Sequence, residues 1–298
     1  MISVIIPTYN RGSIIKKSIE SVLNQSYVDI EVLIVDDGST DDTEKVVANI
    51  KDSRVRYFRL EKNSGACVAR NIGASLAKGE YIAFQDSDDE WDPRKLDMQL
   101  SFLRKGNFDF VFCGMTRIML EDSNKRYYYP NVDLDDNKDY FLQLLYLNRV
   151  GTQTILCKKE CFDLIKFDPN LKRYQDWDLA LQAAKYFKIG YLRESLVVSC
   201  IQVDSISKSK EANKSAWKSL YDKYYNEIIK DKKIHSKYLF RLGNEQVMYD
   251  INEAKKRYQE SIVTSFRITT LLFFLLSLLN LKNAIAKLLD YQKLRLFR

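Results

Sequence analysis

The apolar run Tyr81-Ile82-Ala83-Phe84 stops abruptly at Gln85-Asp86-Ser87-Asp88-Asp89. In an extended chain side chains alternate faces, so Asp86 and Asp88 point one way and Ser87 the other. Two like charges on one patch do nothing for folding. A divalent cation relieves them, and a hard ion that uses few protein carboxylates together with phosphate oxygens suits such a pair. The spacing therefore reads as a site for a metal and a diphosphate. The competing reading is a solvated acidic loop capping the helix expected near Pro93, which Asp-Pro at a helix start favours.

Other residues with chemical potential are spread along the chain. Thr8, Tyr9, Asp36 and Asp37 follow apolar runs, and the two carboxylates either gather at strand ends or cap a helix. Arg70 sits inside Gly65–Ala77, a helical stretch of small residues. Its planar fork suits either a salt bridge to the Asp86 cluster or a phosphate. Asp176 and Asp178 open another helical stretch, where the helix dipole favours carboxylates on structural grounds alone.

The elements that must position these residues alternate. Ile2–Ile6, apolar but for Ser3, and Val32–Val35, apolar throughout, predict strands buried on both faces. Ile14–Leu23 and Thr43–Ile50 have helical spacing, a further strand is predicted at Val55–Leu60, and together these predict an α/β domain with a mostly parallel sheet flanked by helices. In such a sheet ligands bind beyond the carboxyl ends of the strands. No Gly-x-Gly-x-x-Gly follows the first strand, so a dinucleotide fold is not supported.

The formal charge of +7 is uneven: residues 1–205 hold 28 Lys/Arg against 31 Asp/Glu, and residues 206–298 hold 19 against 9. The halves therefore carry -3 and +10, and a basic tail calls for an anionic partner. Its apolar content favours phospholipid over nucleic acid. Five cysteines without paired metal-ligand spacing (Cys67, Cys113, Cys157, Cys161, Cys200) read as buried thiols, with Cys157 and Cys161 able to meet on a helix face. A single histidine, His235, argues against zinc and against Ser-His-Asp or Cys-His catalysis. The chain opens directly on a strand with no basic and apolar leader, so a reducing cytosolic setting is the expectation.

Taken together, Val4-Ile5-Ile6-Pro7-Thr8-Tyr9-Asn10, Val35-Asp36-Asp37-Gly38-Ser39-Thr40-Asp41, Ala69-Arg70-Asn71-Ile72-Gly73, Gly79-Glu80-Tyr81-Ile82-Ala83-Phe84 and Asp86-Ser87-Asp88-Asp89 resemble the motifs of the family 2 glycosyltransferases, in the same order. The resemblance covers roughly residues 1–120, with a weaker match at Gln175-Asp176-Trp177-Asp178-Leu179. It implies an A-type nucleotide-sugar-binding fold, inversion at the anomeric carbon and a divalent ion, Mn2+ or Mg2+. Carried over, Pro7, Thr8 and Tyr9 line the nucleoside, Asp37 accepts a hydrogen bond from the base, and Arg70 lies near base and ribose. Asp88 contacts the metal directly, while Asp86 meets the ribose or the metal through water. Asp176 is then the general base, taking the acceptor hydroxyl's proton, with Asp178 as the fallback if the register moves. Two residues depart from the family: Gln85 replaces a more usual apolar residue, which is expected to matter little, and Gln175 replaces Glu.

Residues 105–175 are less regular. Strands are predicted at Phe108–Met115 and Thr116–Leu120, a loop through Tyr127-Tyr128-Tyr129-Pro130, a helix at Tyr140–Leu147 and a strand at Gly151–Cys157. An acceptor site belongs here, and the tyrosines either stack on sugar rings or pack. From about Ser205 the pattern turns helical, giving expected domains of 1–205 and 206–298. Tyr238–Ile262 resembles one tetratricopeptide-like helix pair. Ile268–Leu281 is apolar but too short to span a bilayer, and with the basic end of the chain it reads as an interfacial anchor or as a core helix.

The expected protein is thus an inverting, metal-dependent transferase of a sugar from a nucleotide diphosphate sugar, UDP-sugars favoured, to a glycan or polyprenol-linked glycan. It would serve bacterial surface polysaccharide synthesis, peripherally on the inner face of the cell membrane and without nucleic acid. The alternatives are a catalytically weak or dead scaffold in a glycan assembly and, less favoured, a nucleotidyltransferase.

Overall fold

The computed structural model describes residues 1–119, 122–201 and 210–296, with side chains for all of these except 122–125, 201, 210 and 292–296. Leu120, the composition break at Ser205 and the terminal Arg298 lie outside the described residues, and the side chains of Lys293 and Arg295 outside the described side chains. The chain divides into two compact units, one of Met1–Leu144, Asn148–Asn170 and Gln175–Val203, the other of Leu145–Leu147, Leu171–Tyr174 and Asp204–Arg298.

The first unit begins β1 (Ile2–Thr8), α1 (Ile15–Leu23), β2 (Ile30–Asp36), α2 (Thr43–Ala48), β3 (Val55–Arg59), α3 (Ala66–Leu76) and β4 (Tyr81–Phe84). It continues with β5 (Asp89–Trp91), α4 (Lys95–Gly106), β6 (Phe110–Met119), β7 (Asp122–Tyr129), α5 (Tyr140–Tyr146), β8 (Ile155–Lys158), α6 (Cys161–Leu164), α7 (Gln175–Tyr186) and β9 (Ile189–Ile201). The strands form one sheet in the order β3-β2-β1-β4-β8-β6-β9-β5, with β7 paired to β6. Strands β3, β2, β1 and β4 run parallel, as the largely apolar runs within β1, β2 and β4 predict, while the edge strand β3 carries Arg56 and Arg59 and is only partly buried. Beyond β4 the pairing is mixed: β8 is antiparallel to β4 and β6, and β9 is parallel to β6.

Every residue of β1 and β2 is buried. Because β1 lies between β2 and β4, the chain moves outward through β2 and β3 and then returns to the other side of β1. That reversal makes the carboxyl ends of β1 and β4 a topological switch point, the place where open α/β sheets take ligands in a crevice. Helix α3 lies close against this region. A Cβ on Gly73 would stand 2.5 Å from Ile5 Cγ2 and 3.3 Å from Val35 Cγ2, so the small residues of α3 are what let it seat on β1 and β2.

Several expectations for the middle of the chain are corrected. The two strands predicted across Phe108–Leu120 are one, β6. Tyr127-Tyr128-Tyr129 is not loop but the end of β7, consistent with the strand preference of aromatic residues. Tyr128 crosses Gly114, whose absent Cβ leaves room for it, and its hydroxyl lies 2.9 Å from that of Tyr191. Residues Thr152–Thr154 form a 3-10 turn, so the strand predicted from Gly151 is confined to β8. Cys157 lies in β8 and Cys161 in α6, not on one helix face, and both are buried free thiols.

The second unit holds α8 (Lys210–Lys223), α9 (Tyr225–Ile228), α10 (Lys232–Gln246), α11 (Ile251–Thr264), α12 (Ile268–Leu278) and α13 (Lys282–Leu296). Helices α10 and α11 form the expected helix pair. Gly243 allows Tyr258 to approach, since a Cβ there would lie 2.7 Å from the ring, and the buried Tyr258 hydroxyl donates to Asn244 Oδ1 at 3.0 Å. Phe273 of α12 packs edge-on against Phe240 at 5.1 Å and joins the same core.

Candidate active site

At the carboxyl ends of β1 and β2, backbone and side chains tie three loops together. Thr8 pairs with Asp36 in register, and the Asp37 N–H donates to Thr8 O at 2.8 Å. Asp37 in turn accepts from the Ser64 N–H at 2.7 Å and the Gly65 N–H at 2.6 Å, which fixes the approach to α3. Asp36 accepts from the Ser39 N–H and from the Tyr57 hydroxyl. Neither carboxylate caps α2, whose cap position is Asp42. Pro7 and Thr8 are buried, Tyr9 is exposed, and Thr8 Oγ1 has no hydrogen-bond partner among the described residues.

The carboxylate cluster follows β4 in a turn, closed by the Asp89 N–H to Asp86 O at 3.3 Å. Strict alternation along an extended strand therefore does not apply, yet the turn still brings Asp86 and Asp88 within electrostatic reach. The Asp88 pKa is raised, first by burial and then by Asp86, with Arg11 and Arg70 opposing. Arg11 Nη2 lies 4.0 Å from Asp88 Oδ2, and Arg70 Nη2 lies 2.7 Å from Asp86 Oδ1. Asp89 is buried with its pKa raised well above the usual carboxylate range, by burial first and then by Asp86 and Asp88. It accepts from Gln153 Nε2 at 2.6 Å.

Helix α4 has Arg94 at its cap position and no side-chain cap hydrogen bond; Asp92 accepts from the Arg94 N–H at 2.9 Å just ahead of it, and neither Asp86 nor Asp88 caps the helix. Gln85 is fully buried and donates from Nε2 to Asp89 O at 2.7 Å, a tie across the carboxylate turn.

Asp176 occupies the first turn of α7, half-buried, and accepts from Asn148 Nδ2 at 3.4 Å and from the Trp177 N–H at 2.7 Å. Burial raises its pKa, and Asp86 adds to this, while the Trp177 N–H, Arg117 and Arg70 pull it down. Asp178 differs. It is fully buried and accepts from Gln182 Nε2 at 2.7 Å, a structural arrangement within α7. Gln175 faces Arg70, with its Oε1 accepting from Nη1 at 3.4 Å. Arg70, itself 7% exposed, also lies over the Phe167 ring at 5.3 Å, and its Nε has no partner among the described residues.

Arg70 consequently draws the turn after β4 and the start of α7 to one place, bringing together Asp86, Asp88, Asp176 and Arg11. Sequence reasoning missed Arg11, Arg117, Gln153 and the role of Asp89. Arg117, over the Tyr129 ring at 4.2 Å, comes from β6, far along the chain from Asp176. The family motifs held a signal only for Asp89. Among the described residues no cluster of three or more His, Cys, Asp and Glu could hold a metal by itself. Asp86 and Asp88 nevertheless fit a hard ion completed by substrate phosphate oxygens, because a cation there offsets the penalty that raises Asp88.

A second opening of about 440 Å³ lies in the helical unit between α8, α10 and α11. Among its lining groups Tyr249 Oη donates to Glu211 and Arg257 Nε to Glu253.

Residues 3–169 match the family described as Glycosyl transferase family 2. The chain is 35% identical over 225 residues to the putative teichuronic acid biosynthesis glycosyltransferase TuaG of Bacillus subtilis, covering 73% of this chain and 86% of that one. It is 43% identical over 112 residues to the UDP-Glc:alpha-D-GlcNAc-diphosphoundecaprenol beta-1,3-glucosyltransferase WfgD of Escherichia coli, covering 38% of this chain and 44% of that one. Among solved structures, S. aureus TarS 1-349 in complex with UDP-GlcNAc superimposes with a TM-score of 0.66 at 20% identity, over 87% of this chain and 80% of that chain. That likeness establishes the A-type glycosyltransferase fold.

Proposed function

Since the chain belongs to glycosyl transferase family 2 and is a glycosyltransferase, we propose that it moves a sugar, with inversion at the anomeric carbon, from a nucleoside diphosphate sugar to a hydroxyl of a glycan or lipid-linked glycan. The names of TuaG and WfgD support a place in bacterial surface polysaccharide synthesis and a diphosphopolyprenol-linked acceptor, with UDP-sugars as favoured donors. Residues 1–205 act as the transferase domain and 206–298 as a helical region with peripheral contact to the inner face of the membrane, for which the +10 charge of that region speaks.

One observation carries the reading: Arg70 joins Asp86 to Gln175, so a carboxylate pair and a candidate base border the same crevice. Pro7, Thr8 and Tyr9 line the nucleoside, and Asp37, with lone pairs left on both oxygens, accepts from the base. Asp176 takes the acceptor hydroxyl's proton, its pKa raised toward the working range of a general base. Asp88 and Asp86 hold Mn2+ or Mg2+, and when bound the ion offsets negative charge on the leaving diphosphate. Arg70 and Arg11 supply fixed positive charge to the same end.

The experiment is a panel of nucleotide sugars, with and without Mn2+, read by thermal stabilisation and by release of nucleoside diphosphate. A ligand that binds the native state alone raises its apparent stability. Stabilisation by a sugar nucleotide only in the presence of the ion is expected; no response to any member of the panel would sink the reading.

A further inference from the structure

Helix α12 faces the wrong way for a protein surrounded by water. It buries Thr270 and Ser277 completely, together with Phe273, while Ile268 is 77% and Leu279 70% exposed. Leu272, Leu275 and Leu278 are exposed as well. At 3.6 residues per turn these five fall on one broad arc, and Thr270, Phe273 and Ser277 on the opposite side. Thr270 Oγ1 has no hydrogen-bond partner among the described residues, and Ser277 Oγ turns back to Phe274 O at 2.6 Å. The inner side thus accepts two hydroxyls in the core while the outer side leaves leucines in contact with solvent. Such a patch marks an interaction surface.

Charge identifies its occupant. No charged residue occurs between Ile268 and Leu281, whereas Arg267 precedes the helix and Lys282 follows it. Arg267 Nη2 donates to Lys233 O at 3.0 Å, which brings the exposed Lys232 and Lys233 of α10 beside the start of α12. The carboxylate nearest to them in sequence, Asp231, is engaged by the Lys233 and Ile234 N–H groups. A wide apolar arc bracketed by cations matches a bilayer surface with anionic headgroups, whereas a helix partner needs only a narrow seam. With 11 residues, α12 is too short to cross, and no helix among the described residues is long and apolar enough to do so.

We infer that α12 lies in the plane of an anionic membrane, with Ile268, Leu272, Leu275, Leu278 and Leu279 inserted among the acyl chains and Arg267, Lys232, Lys233 and Lys282 at the headgroups. This deepens the membrane contact proposed above for residues 206–298 and rests on that part of the reading, naming the helix and the lipid charge; it uses none of the residues assigned to sugar transfer.

The test is flotation of the full chain with vesicles of phosphatidylcholine alone and of phosphatidylcholine with phosphatidylglycerol. The wild-type protein rises with the anionic vesicles, and Leu272→Glu/Leu275→Glu stays behind with an unchanged melt. A charge-only variant, Lys232→Gln/Lys233→Gln/Lys282→Gln, keeps the apolar arc and loses about tenfold or more in vesicle partition at low salt, by the usual worth of a cation near such a surface. That second variant decides the matter if the first does not fold. Flotation of both variants equal to wild type overturns the inference. So does a wild type that ignores vesicles and forms a dimer that Leu272→Glu/Leu275→Glu dissolves, because the arc is then covered by a second copy. Donor cleavage in solution, measured on the same variants, is unaffected by any of these outcomes and reports separately on the transferase reading.

Discussion

Arg70 Nη2 stands 2.7 Å from Asp86 Oδ1, so helix α3 and the turn after β4 are held by one charged contact at the mouth of the crevice. The same guanidinium reaches Gln175 at 3.4 Å with its other arm. Arg70→Ala should cost about 1–3 kcal/mol, the range for losing hydrogen bonds to a charged group. Arg70→Lys should recover the charge but not the second arm. Urea unfolding measures both. Because Arg70 lowers the pKa of Asp176, its loss should also move the acid limb of the turnover profile to higher pH. An unmoved acid limb would separate Arg70 from the base.

Asp88 gives a pH signature. Its folded pKa lies above the unfolded value of about 3.9, raised first by burial and then by Asp86. A carboxyl shifted this way contributes stability that is present below the unfolded value and is lost as pH rises through the folded one. The metal-free protein at neutral pH therefore carries a penalty that Asp88→Asn removes. Melts should show the variant gaining stability at neutral pH and little in acid, while losing Mn2+-dependent stabilisation by donor. Retained metal dependence would falsify the ligand role.

Asp176→Asn keeps the shape of the side chain and removes proton acceptance, so turnover should drop by about 10²–10⁴ with donor affinity nearly unchanged. Asp178→Asn acts elsewhere. Buried and paired with Gln182, Asp178 should chiefly affect the melting temperature. If steady-state kinetics assign the turnover loss to Asp178 instead, the base has been placed two residues too early.

Gln85→Leu removes the donor to Asp89 O. Leaving that buried carbonyl without its partner should cost about 1–3 kcal/mol. With the carboxylate turn loosened, donor affinity should weaken in isothermal titration while Asp176-dependent proton transfer persists. A variant as stable and as tight as wild type would show that the turn is held by other contacts, such as Ser18 Oγ to Asp86 O at 2.8 Å.

The sequence made the parallel half of the sheet legible because β1, β2 and β4 are apolar runs ended by polar residues, a signal contained in a few neighbours. The salt bridge of Arg70 to Asp86 was legible as one of two contacts open to a guanidinium inside a helix of small residues just upstream of the carboxylates. Arg117 and Gln153 were not, because each reaches the site through strand order: β6 and the turn before β8 enter the sheet beyond β4, and no local pattern encodes that neighbourhood. Tyr127-Tyr128-Tyr129 looked like loop beside Pro130 until pairing with β6 gave it a partner. Asp89 stood within the motif, but its burial depends on pairing with Ser199 of β9, more than a hundred residues away.

Asp37 binds two amides with its side chain and one carbonyl with its own N–H, clasping the ends of β1 and β2 to the approach to α3. For the proposed nucleoside this means a receptor already in shape. Ordering a loop on binding draws down affinity and leaves a large heat-capacity change, whereas a preformed wall does neither. Calorimetry over a range of temperatures should then find a small heat-capacity change for free nucleoside diphosphate, with Asp37→Ala making it larger as the clasp is reassembled around each arriving ligand.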